Sequence, residues 1–231
     1  MPAYCLYHAS RSGMKDDTRP LRARGASEIF KGLLKERALH PGQLITQKEL
    51  LALMGLSLGP VRRALARLEV EGFVRILPQH GIKIVEPSLA LFKNVTQIRI
   101  ALEKEAWARY AMTAPEEQLP RYIRDHEAFL EECNQRITQD VIERVTEYDR
   151  DMHYAVIESM DNDRFNEMYT IALDTTLFLR SDKGFVRPYT IRNTLNEHLA
   201  ILRAAEKQDI LSLIAAVEHH IMASVHRFVS L

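Results

Sequence analysis

This 231-residue chain has few cysteines, no long apolar run and no net charge. Its two cysteines, Cys5 and Cys133, are too few for a disulfide framework. No stretch approaches the roughly 18 consecutive apolar residues of a membrane span. Residues 1–13 also lack the basic start and apolar core of a secretory signal. These absences predict a cytoplasmic protein without a membrane anchor.

The net charge of zero conceals an uneven distribution along the chain. Residues 20–87 carry 11 Lys and Arg against 6 Asp and Glu, whereas residues 88–231 carry 17 against 23. A basic first third joined to an acidic remainder is typical of a protein in which one part binds phosphates and the other does not. A chain of this length is expected to form one large or two ordinary domains.

The segment from Leu56 to Val74 has the pattern of a turn, a capped helix and a strand. Ser57 is placed to cap the helix, and Gly72 to end it in a left-handed conformation. One helical face is apolar, with Val61, Ala64, Leu65 and Leu68. The opposite face carries Arg62, Arg63 and Arg67. Such a helix suits a DNA major groove, although most basic helical faces are simply solvated.

The flanking residues predict a complete winged helix-turn-helix. The expected elements are helices over residues 21–37, 47–54 and 58–71 and strands over residues 73–77 and 82–85, with a free tip at residues 78–81. Thr46 and Glu49 form a capping-box pattern at the start of the second helix. The first helix is expected to place Ile29, Leu33 and Leu34 on its apolar face.

Residues 41–74, PGQLITQKELLALMGLSLGPVRRALARLEVEGFV, resemble the signature of GntR-type transcription regulators. That signature runs P-G-x-x-L, E-L-A, L-G-V-S-R-x-P-V-R-E-A-L, L-x-x-x-G. The resemblance implies a homodimer that binds a palindromic double-stranded operator. The DNA contacts that it implies are Ser57, Arg62 and Arg63 in the third helix, Lys48 in the helix before it, and His80 and Gly81 in the wing. Arg67 is a further candidate, and for Lys48 and Arg67 the alternative is a solvated charge.

The chain departs from this signature at the start of the third helix. Leu58 and Gly59 stand where the family usually has Arg and Thr, and Arg63 stands where it usually has Glu. The missing arginine removes a base or phosphate contact, so the operator is expected to differ from the common one.

From Ser88 onward the pattern is helical throughout. Six helices are expected, over residues 93–113, 115–134, 138–160, 162–180, 187–207 and 209–229. The predicted fold is therefore mostly α, with an N-terminal winged helix-turn-helix over residues 20–87 and an antiparallel six-helix bundle over residues 88–231. Residues 1–19 are expected to be a flexible tail, and Met14 is an alternative start.

Four polar residues in the predicted bundle have the composition of a metal site. Asp149 and His153 are spaced i, i+4 and share a helical face. His198 and His220 each lie beside an apolar stripe of another helix. If they converge, one oxygen and three nitrogens would suit Zn²⁺, Ni²⁺, Mn²⁺ or Fe²⁺. The alternative is that these histidines are merely hydrogen-bonded within the core.

Three segments of the bundle resemble the FCD ligand domain of FadR-type regulators. They are QIRIALEKEAWARYA at residues 97–111, DRDMHYAVIESMDN at residues 149–162, and NEHLAILRAAEKQD at residues 196–209 followed by His220. In that family the matching residues bind a divalent metal, which implies that Asp149, His153, His198 and His220 are the ligands. The neighbouring His219 competes with His220, but the spacing from Asp209 favours His220. Six helices favour the shorter, VanR-like branch.

The resemblance implies a regulator, with repression expected, whose operator binding responds to a small carboxylate at the metal. Arg99 is the candidate for a second contact to that anion, and its alternative is a structural ion pair with a carboxylate of the bundle. Two rival hypotheses remain open. The four ligands could activate water in a metalloenzyme, or the metal could be purely structural in a regulator without an effector.

Overall fold

The structure is a computed structural model. It describes the backbone of residues 18–86, 88–181 and 188–229 and the side chains of residues 25–86, 88–178 and 190–227. Two compact units meet in sequence between Ile84 and Val85. Among the described helices, none has the length and apolar content needed to cross a bilayer. Of the predicted tail, residues 1–17, including Met14, lie outside the described residues, and α1 already begins at Thr18.

The first unit has the predicted winged helix-turn-helix architecture. Its elements are α1 (Thr18–Lys35), β1 (Leu44–Ile45), α2 (Gln47–Met54), α3 (Leu58–Val70), β2 (Val74–Leu77) and β3 (Gly81–Ile84). The strands form an antiparallel sheet in the order β1-β3-β2. In the register, Val74 lies opposite Ile84, and Leu77 opposite Gly81. The hairpin of β2 and β3 is the predicted wing.

Local signals set the ends of α2 and α3. Thr46 and Glu49 form the predicted capping box, in which the backbone N–H of Glu49 donates to Oγ1 of Thr46 over 3.2 Å. Gly55 ends α2 with φ 64°, and Gly72 follows α3 with φ 83°. Ser57 is the N-cap of α3, but its side chain makes no capping hydrogen bond. Its hydroxyl is exposed, so water can replace that bond.

The core of the first unit forms where α1 and α3 pack together. The predicted apolar face of α3 is buried, at Val61, Ala64, Leu65 and Leu68. The predicted face of α1 is partly wrong, because Ile29 is 40% exposed whereas Phe30 is fully buried. The buried side of α1 therefore runs through Ala26, Phe30 and Leu34, a set with the i, i+4, i+8 spacing of one helical face.

The second unit is a bundle of six helices within the described residues. They are α4 (Leu89–Thr113), α5 (Gln118–Gln135), α6 (Gln139–Glu158), α7 (Asp163–Ser181), α8 (Pro188–Glu206) and α9 (Ile210–Val229). The helix α4 packs against α9 and α7, and α8 packs against α5 and α9. Trp107 and Tyr169 are fully buried in the main apolar core. Residue 187, the expected first residue of α8, lies outside the described residues.

Gly81 is the first residue of β3 and lies where the wing passes close to strand β1. Its φ is 112°, and a Cβ at this position would lie 2.7 Å from the carbonyl oxygen of Ile45. Both the backbone conformation and the close approach therefore require glycine. This packing explains Gly81 without a contact to DNA.

We expect Gly81→Ala to loosen the wing, because the added methyl group must push β3 away from β1. The free energy of unfolding of the first unit should fall by about 1–3 kcal/mol. Hydrogen exchange in the full-length chain should show faster exchange of the amides of residues 74–84. Gly32→Ala in α1 is the control, since nothing lies within 4 Å of its added Cβ. Wild-type exchange in the Gly81 variant would contradict this account.

Candidate metal centre

Three helices of the bundle bring the predicted ligands together. Asp149 and His153 lie one turn apart on α6, His198 lies on α8 and His220 on α9. The three histidines are between 1% and 7% exposed. Each offers one ring nitrogen, and these nitrogens all lie within 4.8 Å of one another. The competing His219 is exposed and is not one of the grouped histidines.

The inner atoms of the cluster are three Nε2 nitrogens and one carboxylate oxygen. Nε2 of His198 lies 3.4 Å from Nε2 of His220. Oδ1 of Asp149 lies 3.2 Å from Nε2 of His198 and 3.4 Å from Nε2 of His153. Two ligands about 2.1 Å from a tetrahedral ion are roughly 3.4 Å apart. The spacing of these atoms therefore fits a divalent transition metal.

The outer nitrogen of each imidazole has a buried or half-buried partner. Nδ1 of His153 lies 3.0 Å from Oε2 of Glu103 on α4. Nδ1 of His220 lies 2.8 Å from Oε2 of Glu197 on α8, and Nδ1 of His198 lies 3.3 Å from Nε2 of His126 on α5. Such partners orient metal-binding histidines and fix their tautomers.

Arginines continue the network beyond the carboxylates. Arg99 donates from Nε to Oε1 of Glu103 over 2.9 Å, and its Nη2 lies 2.7 Å from the same oxygen. Arg227 donates to both oxygens of Glu197, over 2.7 and 3.1 Å. Arg99 therefore makes the structural ion pair that the sequence offered as its alternative role. An additional contact from Arg99 to an effector stays a prediction.

The analysis of the sequence did not assign roles to Glu103, His126, Glu197 or Arg227. A signal existed for three of them. Glu103 follows Arg99 by four residues, Glu197 is the residue before His198, and His126 lies on the apolar face of α5 with Tyr122 and Cys133. Arg227 had no local signal, since it lies near the end of α9 and meets Glu197 only in the folded bundle.

The ionisation of the cluster favours binding a cation. Burial opposes charge on Glu103, but Arg99 and His153 outweigh it and lower the pKa of Glu103 to about 2. Burial also opposes charge on Asp149, yet the neighbouring imidazoles hold its pKa far below the ordinary value. Burial lowers the pKa of His198, His220 and His126, which leaves those rings neutral.

His153 carries the proton that a metal ion would replace. Burial lowers its pKa, but Glu103 and Asp149 on either side of the ring outweigh burial and raise the pKa to about 10. Oδ1 of Asp149 is buried and lies 3.4 Å from Nε2 of His153 and 3.2 Å from Nε2 of His198. An ionised oxygen in this state is a ready ligand for a cation.

The first unit presents most of the predicted DNA contacts on its surface. Exposed side chains are those of Lys48, Ser57, Arg62, Arg63 and His80. The side chain of Arg67 is 39% exposed, and its Nε donates to Oε1 of Glu71, a buried carboxylate that also pairs with Lys31 over 3.0 Å. Arg67 therefore takes part in a contact between α3 and α1, and its role as a DNA contact stays a prediction.

Two family models match consecutive parts of the chain. The model described as "Bacterial regulatory proteins, gntR family" matches residues 24–84, and the FCD domain model matches residues 94–223. The second match alone spans more than half of the 231 residues. The chain belongs to the GntR regulators with an FCD domain. It is a DNA-binding transcriptional regulator rather than an enzyme.

Individual relatives agree with this family. The chain is 26% identical to the transcriptional repressor RspR of Escherichia coli K12, over 79% of this chain and 78% of that protein. It is 35% identical to an HTH-type regulator of Agrobacterium vitis over 39% of its own length, but that match spans only 53% of the relative.

Solved structures of other regulators share the fold. E. coli McbR/YncC superposes with a TM-score of 0.65 at 18% identity, covering 90% of this chain and 97% of that one. A GntR-type regulator from Rhodococcus sp. RHA1 gives 0.62 at 14% identity, covering 91% and 98%. FCD domains bind metals, and the buried histidines of this regulator occupy such a domain.

We expect Glu103→Gln to destabilise the bundle strongly, because it leaves Arg99 as a buried cation without its partner. The loss should be about 3–5 kcal/mol in the free energy of unfolding. Urea unfolding can be followed through the single tryptophan, Trp107, in the same helix. The control is Glu105→Gln, at an exposed position two residues away. Equal stability of the two variants would show that the pair contributes nothing.

Proposed function

We propose that this regulator represses transcription. We also propose that a small carboxylate, bound at a divalent metal in the FCD domain, modulates the binding of the protein to a palindromic operator. The observation that carries the proposal is the convergence of Asp149, His153, His198 and His220 around one buried point. We further propose that the protein acts in the cytoplasm as a homodimer, because a palindrome is read by two copies of one module.

The four proposed ligands come from three helices, α6, α8 and α9. The three imidazoles are buried, but the side chain of Asp149 is 34% exposed although its Oδ1 is not. A bound metal would supply a positive charge, and an ion that accepts five or six ligands would have room for an exogenous oxygen beside these four. Zn²⁺, Ni²⁺, Mn²⁺ and Fe²⁺ all accept this donor set.

Two buried donors of the bundle are also available to an anionic ligand. Within the described residues, neither the hydroxyl of Tyr169 nor Nε1 of Trp107 has a hydrogen-bond partner, and both side chains are fully buried. The ring of Trp107 packs edge-on against that of His153, with centroids 6.4 Å apart. Buried donors without partners indicate a missing acceptor, and a carboxylate supplies several.

A thermal-shift experiment tests the metal and the effector together. The protein is stripped with a chelator, and Zn²⁺ and a panel of di- and tricarboxylates are added singly and in pairs. We expect Zn²⁺ to raise the melting temperature, and one class of acid to raise it further only with Zn²⁺ present, since a ligand at 100 times its Kd adds about 2.7 kcal/mol.

Adjacent histidines provide the matched variants. His220→Gln should abolish the zinc shift, whereas His219→Gln, at the exposed neighbour, should keep it. A zinc shift without any acid shift would support a purely structural metal. No zinc shift in the wild-type protein would overturn the proposed metal centre.

For the operator, we propose contacts by Lys48, Ser57, Arg62, Arg63 and His80. The feature that supports Arg63 is Gly59, one turn before it in α3. Nη1 of Arg63 lies 3.7 Å from the point that a Cβ at Gly59 would occupy, so the guanidinium reaches back towards the start of α3. Leu58, where the family's arginine is missing, directly precedes Gly59 in the chain. Gly81 is needed in the wing for its backbone conformation, and we propose no contact of its own to DNA.

We expect Arg63→Ala to weaken binding to duplexes enriched from a random pool by the wild-type protein. The loss should be about 1–3 kcal/mol, with relaxed preference at one base position. Gel-shift titration at fixed salt measures it, and selection with the variant reports the preference. Arg164→Ala is the control, since that side chain is 89% exposed in the second unit. A uniform loss across sequences would instead make Arg63 a phosphate contact.

A further inference from the structure

We infer that His126 is a positioning residue of the metal centre: its imidazole holds His198 in the tautomer and orientation that direct a lone pair at the ion. The inference rests on the proposed metal binding and adds a fourth histidine that is not itself a ligand. His126 lies on α5, a helix that contributes none of the four proposed ligands.

Two consecutive contacts determine which nitrogen of His198 carries the proton. The carbonyl oxygen of Tyr122 can only accept, so Nδ1 of His126, 2.8 Å away, must donate to it. The neutral ring then has its lone pair on Nε2, which lies 3.3 Å from Nδ1 of His198. This contact is a hydrogen bond only if His198 donates from Nδ1. The lone pair of His198 is therefore on Nε2, which faces Asp149 and His220.

Packing holds the two rings in this arrangement. His126 and His198 are each 1% exposed, and their rings meet at 77° with centroids 5.3 Å apart. The ring of Tyr148 packs against the other side of His126, with centroids 5.5 Å apart. In this position water cannot replace His126 as the acceptor, so loss of His126 leaves a buried N–H of His198 without a partner.

His126 also differs from the other two outer partners in charge. Glu103 and Glu197 accept from His153 and His220 as carboxylates, and each needs an arginine beside it. A third carboxylate in this layer would need another buried cation. A neutral imidazole orients His198 without that requirement, which is why the fold can place it in the interior of α5.

The test compares His126→Leu, which removes the acceptor, with His126→Gln, whose amide oxygen can accept from His198. Zinc affinity of the full chain is measured by competition with a chromophoric chelator. We expect the Leu variant to bind Zn²⁺ about 10–100-fold more weakly, and the Gln variant to recover most of the loss. Nitrogen NMR of the zinc-loaded wild-type protein should show His198 protonated at Nδ1.

Cys133→Ala controls for damage to α5, because Cys133 is a fully buried residue of the same helix in a separate apolar cluster. Its zinc affinity should match the wild type. The inference is overturned if the Leu variant binds zinc as tightly as the wild type, if the Ala control loses as much, or if Nδ1 of His198 is unprotonated. If the Leu variant does not fold, the Gln variant and the NMR measurement still decide. Absence of zinc binding by the wild type would overturn the metal centre as well.

Discussion

Three buried imidazoles can face one point only if the proton on the far side of each ring has an acceptor. Glu103, His126 and Glu197 are those acceptors. Two of them are carboxylates, which in turn require Arg99 and Arg227 in an interior where an unpaired charge costs several kcal/mol. The bundle is therefore ordered in layers around the inner point: ligand atoms, then acceptors, then arginines. The two carboxylate acceptors depend on the arginines outside them, whereas His126 depends on the carbonyl oxygen of Tyr122.

The same dependence gives the proposed sensor a physical basis. The inner and outer residues come from α4, α5, α6, α8 and α9, so occupation of the proposed centre would affect the packing of five helices together. A ligand shifts a conformational equilibrium only by its difference in affinity between the two states. A site assembled from many helices supplies that difference, because small helix displacements change several ligand distances together.

Local patterns in the sequence predicted most of the fold, whereas the four inner residues were assigned through the resemblance to FCD domains. The Thr46 capping box, the buried face of α3 and the i, i+4 pair of Asp149 and His153 are all encoded within a few neighbouring residues. The outer partners were missed because they join residues far apart in the chain, such as Glu103 with His153. The predicted burial of Ile29 was wrong for a related reason: helical spacing defines a face, but only the neighbour packed against it decides which residues are buried.

The exposure of Asp149 bears on whether the proposed metal is structural or serves as a sensor. Structural zinc sites enclose the ion with four protein ligands, and three imidazoles here are at most 7% exposed. The fourth ligand belongs to a side chain that is 34% exposed, but the Oδ1 that faces the imidazoles is buried. Four protein ligands complete a tetrahedral shell, so a carboxylate could bind only to an ion that accepts a fifth or sixth ligand. The coordination number of the bound metal therefore decides between the effector hypothesis and the purely structural one.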